Sequence, residues 1–274
     1  MPKFQRIYWS KKFDWKHYSR IYDKYAKSKN NYYQQSASVL LNAVKTGKHS
    51  KIIDLACGTG ALTAYVLKKF PKTRIFAIDL SKEMLEYYNK NFSNEIKNGQ
   101  VMAVVGNAEK ISTYLKEKYD LAFISSALWD LEIESVFKSL SNVIRKNGHI
   151  IFNLPALVVE KERGFIFFIE HFFRQMLNSK IIYRRIKISY LKKLFKRYNL
   201  KMVKMQEYSF RMSKQNVGKF FDLLRYRYPF ILFPKEMQYQ KKLKKCTEIF
   251  NESLKYVLKK GIREEGVVFV VQRK

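Results

Sequence analysis

From Lys51 to Leu154 the chain alternates short apolar runs with amphipathic stretches, and this alternation sets the architecture. Ile52, Ile53 and Leu55 read as a buried strand, Ala61 to Phe70 as a helix, and Arg74 to Ile78 as a second strand. Ser81 is placed to cap a helix that runs through Asn91. Val101 to Val105, Tyr119 to Ser125 and His149 to Leu154 continue the strand series, with Ile133 to Arg145 helical before the last. Strands that are apolar on both faces and separated by helices predict an α/β fold with a doubly wound, mostly parallel sheet. Right-handed crossovers then gather the strand carboxyl ends on one edge, where ligands bind.

The flanks break this rhythm. Residues 8 to 46 read as two helices parted near Lys29 to Asn31, with Tyr18, Tyr22 and Tyr25 recurring on one face of the first. After Pro155 comes the aromatic run GFIFFIEHFFRQML, then a helix at Ser189 to Tyr198 and a strand at Lys201 to Tyr208. A second interruption, from Arg211 to Gly261, holds the hexapeptide PFILFP. It also holds a helix with Leu243, Cys246, Phe250, Leu254 and Val257 at seam spacing, stopped by Gly261. Val267 to Val271 supplies the last of seven strands. The expected organisation is an N-terminal helical segment (1–46), a core (47–155, resuming at 188–210 and 263–274) and a helical cap made of two insertions (156–187 and 211–262). Both insertions would lie over the ligand edge, either as a cap with its own core or as a lid on an apolar pocket.

The chemistry starts at KIIDLACGTG. A strand ending in Asp54 and turning on Gly58 and Gly60 brings backbone close to a ligand, either a nucleotide phosphate or the carboxylate of an amino-acid-like group. Asp79, about twenty residues on at the end of the second strand, is where an acid in this topology accepts hydrogen bonds from ribose hydroxyls. A phosphate-binding loop would place Lys and then Ser or Thr after the glycines, where this chain has Ala61 and Leu62. A dinucleotide fingerprint would want a third glycine where Thr63 stands. What remains is a nucleoside that carries an amino acid.

IDLACGTG, AIDLS and GNAEKI together resemble the class I S-adenosylmethionine-dependent methyltransferases over about residues 51 to 154. That resemblance implies a Rossmann-like methyltransferase fold, an enzyme, and S-adenosyl-L-methionine as cofactor. By it, Asp54, Gly58 and Gly60 hold the methionine end and Asp79 the ribose diol, with Ala56, Leu80 and Met84 also among the cofactor-binding residues. The turn Asn107-Ala108-Glu109 meets the adenine, with Asn107 where the family more often has Asp, and Ser125 lies under the sulfonium. YAKSKNNYYQQSASVLL resembles, loosely, the helix before the glycine turn in the malonyl-carrier-protein O-methyltransferases of biotin synthesis. It brings Tyr25, and less directly Tyr22, to the cofactor.

For a methyl acceptor the segment SSALWDL is best placed: Trp129 would wall the pocket, and Asp130 would orient the acceptor or take its proton. Asp130 equally reads as a helix N-cap, and His17 and His171 are weaker base candidates. The formal charge of +31 favours anionic partners, an acidic carrier protein among them, unless it reflects lysine-rich composition alone. The expected acceptor is a small hydrophobic or anionic molecule, free or carrier-bound, with peripheral membrane contact as a further option. An RNA methyltransferase and a non-catalytic cofactor-binding protein are the alternatives. SSALWDL lacks the Asn- or Asp-Pro-Pro-aromatic run of the base-amino methyltransferases, and neither Cys57 nor Cys246 is placed as a nucleophile. Two distant cysteines suggest a reducing compartment, hence a cytoplasmic location, and no metal site is expected.

Overall fold

The computed structural model describes residues 13–44, 51–159, 186–232, 239–260 and 262–274. The first described elements are α1 (Trp15–Ala26) and α2 (Tyr32–Ala43). The core then runs β1 (Lys51–Leu55), α3 (Ala61–Lys69), β2 (Arg74–Asp79), α4 (Lys82–Asn91), α5 (Ser93–Lys97), β3 (Val101–Val105), β4 (Tyr119–Ile124), α6 (Ile133–Val143) and β5 (Ile144–Pro155). After it come α7 (Ile188–Arg197), β6 (Leu200–Met212), α8 (Lys214–Leu232), α9 (Tyr239–Lys260) and β7 (Ile262–Arg273). One seven-stranded sheet has the order β3-β2-β1-β4-β5-β7-β6, with β1 to β5 parallel and β7 antiparallel to both neighbours. The strand order reverses between β1 and β4, the crevice where α/β sheets take ligands.

Period-2 alternation sends the core strands to two separate cores. On one face Ile53, Leu55, Phe152 and Phe269 pack with Phe137 of α6 and Phe195 of α7. On the other, Ile52, Phe123 and Ile151 pack with Leu40 of α2, Val66 of α3 and Tyr88 of α4. Phe152 joins the layers of the first core, stacked on Phe269 at 4.9 Å and edge-on to Phe137 at 5.4 Å. A third cluster lies off the sheet, where Tyr18, Tyr25 and Tyr32 of the N-terminal helices meet Val217, Phe220, Phe221 and Leu224 of α8 and Ile249 and Phe250 of α9.

Three boundaries differ from the sequence pattern. The helix expected to reach Arg145 stops at Val143, because Ile144 already pairs with Tyr119 as β5. Asn147 takes the left-handed conformation (φ 63°) as the strand resumes its register at His149. β6 and β7 extend to Met212 and back to Ile262 as an antiparallel ribbon. Much of β6 is exposed, so it carries no clean alternation to reveal that length. The segment between these two strands is therefore a helical hairpin, α8 and α9, carried by this ribbon. PFILFP begins inside α8, whereas its last two residues, the aromatic run at 164–177 and His171 lie outside the described residues. No described helix is long and apolar enough to cross a membrane.

Truncating the ring that joins strand and helix layers, Phe152→Ala, is expected to cost about 3–5 kcal/mol. Urea unfolding at constant m-value checks it.

Candidate functional site

The turn after β1 is built from left-handed backbone: Ala56, Gly58 and Gly60 have φ of 56°, 55° and 96°. It is stitched to its surroundings by Cys57 N donating to Ile78 O at 3.1 Å and Gly60 N to Cys57 O at 3.0 Å. The two glycines answer to different neighbours. A Cβ on Gly60 would fall 2.1 Å from the Phe92 ring, so that glycine lets the helix layer close on the turn. A Cβ on Gly58 would lie 3.3 Å from the Tyr22 hydroxyl, which stands over the turn from α1.

Two buried carboxylates flank this backbone. Asp79 accepts from Gly58 N at 2.8 Å through Oδ2 and from Ser81 N at 3.0 Å through Oδ1. Its own carbonyl accepts from Gly106 N at 2.8 Å, which ties in the end of β3. Asp54 accepts from the Thr63 hydroxyl at 2.7 Å, and that hydroxyl in turn lies 2.8 Å from Tyr88 Oη. Burial, with Asp79 nearby, pushes the Asp54 carboxyl up to about 7, and burial raises Asp79 as well. Two desolvated acids beside the turn repel a polyphosphate and favour a ligand rich in hydroxyl donors and positive charge. A ribose joined to an aminoalkyl sulfonium has that character. Among the described residues no group of three or more His, Cys, Asp or Glu could hold a metal ion.

The remaining expected cofactor positions surround the same edge. Leu80 is exposed beside Asp79, whereas Met84 is buried with the off-sheet cluster. Asn107 caps the 3-10 turn at Ala108–Thr113, its side chain accepting from Glu109 N at 2.9 Å. Ala108 is buried, and Glu109 Oε1 accepts from Glu132 N at 2.8 Å, so this acid is spent on holding the turn to α6. Ser125 follows β4 directly, half-buried. The next residue, Ser126, is left-handed (φ 53°), with its N–H donating to Asn153 Oδ1 at 2.8 Å. Asn153 Nδ2 reaches Ser126 Oγ at 3.2 Å and Tyr208 Oη at 3.0 Å, bracing the backbone beside Ser125.

Tyr22 and Tyr25 separate in role. Tyr25 Oη accepts from Tyr32 N at 2.9 Å and its ring lies on Phe220, so it pins the corner between α1 and α2. Tyr22 faces the turn, its ring 4.6 Å from that of Tyr33. The Tyr33 hydroxyl faces those of both Tyr18 and Tyr22, and burial keeps all three phenols neutral by raising them.

The acceptor-side candidates disperse. Trp129 packs against the sheet core. His17 lies in α1, its ring 4.9 Å from Tyr226 and its Nδ1 3.3 Å from Arg20 Nη2. Asp130 is not the N-cap of α6; Glu132 is, accepting from Ser135 N at 2.8 Å. Asp130 instead accepts from Arg227 Nη2 of α8 at 2.5 Å, and burial pushes its carboxyl up to about 7. Cys57 is buried and its thiol raised, a poor nucleophile. Sequence reasoning passed over Tyr33, Asn153, Tyr208 and Arg227. Only Arg227 left a trace, as a cation inside the aromatic run RYRYPF.

A family model described as a methyltransferase domain matches residues 52–148. The malonyl-[acyl-carrier protein] O-methyltransferase of Priestia megaterium is 29% identical over 140 residues, 50% of this chain and 47% of that protein. Its counterpart from Halalkalibacterium halodurans is 37% identical over 109 residues, 37% of this chain and 38% of that protein. The matched stretch thus spans less than half of either relative. Among solved structures, N-methyltransferase 2 of Haemonchus contortus, in complex with phosphomonomethylethanolamine and S-adenosylhomocysteine, aligns with a TM-score of 0.58. It has 12% identity and covers 100% of this chain and 61% of its own, a likeness of fold.

Asp54 imposes a pH signature on the free protein. The fold holds it protonated up to about 7 against 3.8 ordinarily, so its contribution is complete below the lower value and is lost as pH rises through the higher. Stability is expected to fall by roughly 2 kcal/mol between pH 5 and pH 8 on this account. Asp54→Asn should flatten that slope in urea titrations across the range.

Proposed function

We propose that this class I methyltransferase transfers the methyl group of S-adenosylmethionine to a small anionic acceptor, presented on an acidic carrier protein. The observation that carries the reading is the pair of buried carboxylates, Asp54 and Asp79, on either side of a left-handed turn braced at Gly58. They suit a ligand with a ribose diol and a cationic amino-acid tail. In this reading Asp79 accepts from the ribose hydroxyls, its orientation already set by Gly58 N and Ser81 N. Asp54 faces the amino-acid end, and a cation beside it favours its ionised form. Leu80 and the turn at Asn107 and Ala108 border the base, while Ser125, braced through Ser126 by Asn153, borders the reacting centre.

The cofactor, when bound, supplies a methyl group on an electrophilic sulfonium sulfur. What the chain adds is alignment and exclusion of water, which the tyrosines of α1 and α2 over the glycine turn provide. A carboxylate acceptor needs no proton removed, and this agrees with an Asp130 engaged by Arg227. The names of the two bacterial relatives support a carrier-bound malonyl group as the acceptor to try first. The excess of Lys and Arg over Asp and Glu, +31 in all, suits an acidic carrier.

Calorimetry with S-adenosylhomocysteine is expected to show saturable 1:1 binding, weakened roughly tenfold or more in Asp79→Ala, which removes a charged acceptor. Transfer of labelled methyl from the cofactor to a malonyl-loaded carrier protein tests the second layer. Absence of binding heat removes the cofactor; binding without transfer removes that acceptor.

A further inference from the structure

The Arg227–Asp130 pair sits where the helical hairpin meets the ligand edge of the sheet. Asp130 lies five residues beyond Ser125, in the turn that follows β4, and Arg227 reaches it from α8, ninety-seven residues later in the chain. The arginine side chain is 17% exposed and the aspartate 34%. Around them are uncharged rings: Tyr18, whose hydroxyl is close enough to feel the Asp130 charge, and Tyr226, packed against Phe13, His17 and Tyr18. Tyr18 packs beside Tyr22, ring centroids 6.0 Å apart, and Tyr22 stands over Gly58, so tyrosine rings lead from beside this ion pair to the glycine turn.

A half-buried ion pair adds little to stability, because desolvation offsets much of the attraction. Both groups are partly withdrawn from water here, so the pair is held against a desolvation cost. A guanidinium among neutral rings is, however, suited to reading a carboxylate, since its planar fork matches the two oxygens. The group it holds in this structure is itself a carboxylate.

We propose that Arg227 is the residue that recognises the acceptor's carboxylate, and that Asp130 is its placeholder in the free enzyme, giving up the guanidinium when the acceptor arrives. The proposal rests on the reading above that the acceptor is a small anion. It assigns Asp130 a role opposite to that of a general base: removing its charge should help the acceptor to bind.

The test uses the full chain saturated with S-adenosylhomocysteine, with malonate as probe and malonamide as its uncharged control. Wild type should bind malonate and not malonamide by calorimetry. Arg227→Lys, which keeps the charge and loses the fork, should weaken malonate at least tenfold. Asp130→Asn should bind malonate several-fold tighter than wild type, and its melting temperature, lowered without the anion, should rise more on adding malonate. Equal malonate affinity in Arg227→Lys and wild type overturns the proposal. So does equal or weaker affinity in Asp130→Asn, or equal binding of malonate and malonamide. Should Arg227→Lys fail to fold, Asp130→Asn alone decides. S-adenosylhomocysteine affinity should be unchanged in both variants; were it absent in wild type, the functional reading would fall, and the same malonate and malonamide titrations on the free chain would decide this assignment.

Discussion

A single carboxylate holds the ligand edge together. Asp79 accepts from the backbone of the glycine turn and of the α4 N-terminus, while its own carbonyl takes the N–H that ends β3. Two segments distant in sequence, the glycine turn and the end of β3, thereby converge on one residue beside the point where the strand order reverses. The arrangement solves a problem and creates a use. Burying an acid raises its pKa, and the two backbone donors oppose that rise. The turn is therefore oriented before any ligand arrives, and a carboxyl group stands ready for hydroxyl donors.

The off-sheet helices are organised by a second constraint, that helices with aromatic faces need something to bury them against. α1 and α2 cannot cover themselves, and neither can the hairpin α8–α9; packed together they make a core of their own above the sheet. That core is tied to the glycine turn at two points. Tyr22 stands over Gly58, and Asn91 of α4 donates to Asp23 of α1 at 2.9 Å and to Thr59 O at 3.1 Å. These helices and the glycine turn are in consequence packed as one unit, although about two hundred residues separate α1 from α8. Burial keeps the phenols of that unit neutral, and beside them Arg227 of α8 meets Asp130 from the turn after β4.

A fold of this kind carries many reactions, and the site decides which. In the proposed function the donor side rests on small, local features, two glycines, two acids and a capped helix, and the acceptor side on the helices packed beside them. The relatives named above match over less than half of their own length.

The amino-acid sequence by itself determined the core, because buried parallel strands must be apolar on both faces and their helices must be amphipathic. α4 came out at its exact bounds after Ser81, and α1 and α2 parted where expected. The acids and glycines of the turn were legible for the same local reason, since each is required by backbone within a few residues of it. Tertiary structure alone decided the rest. Gly60 is glycine because Phe92 fills the space above it, and Tyr22 rather than Tyr25 faces the turn because Tyr25 is used to lock α1 to α2. β6 and β7 are long because they pair with each other, which no local pattern records. Asp130 looked like a base or a cap. It became neither an N-cap nor an unengaged carboxylate, because its partner, Arg227, is brought in by a helix from the far end of the chain, and an ion pair between distant segments leaves no periodicity for a sequence to show.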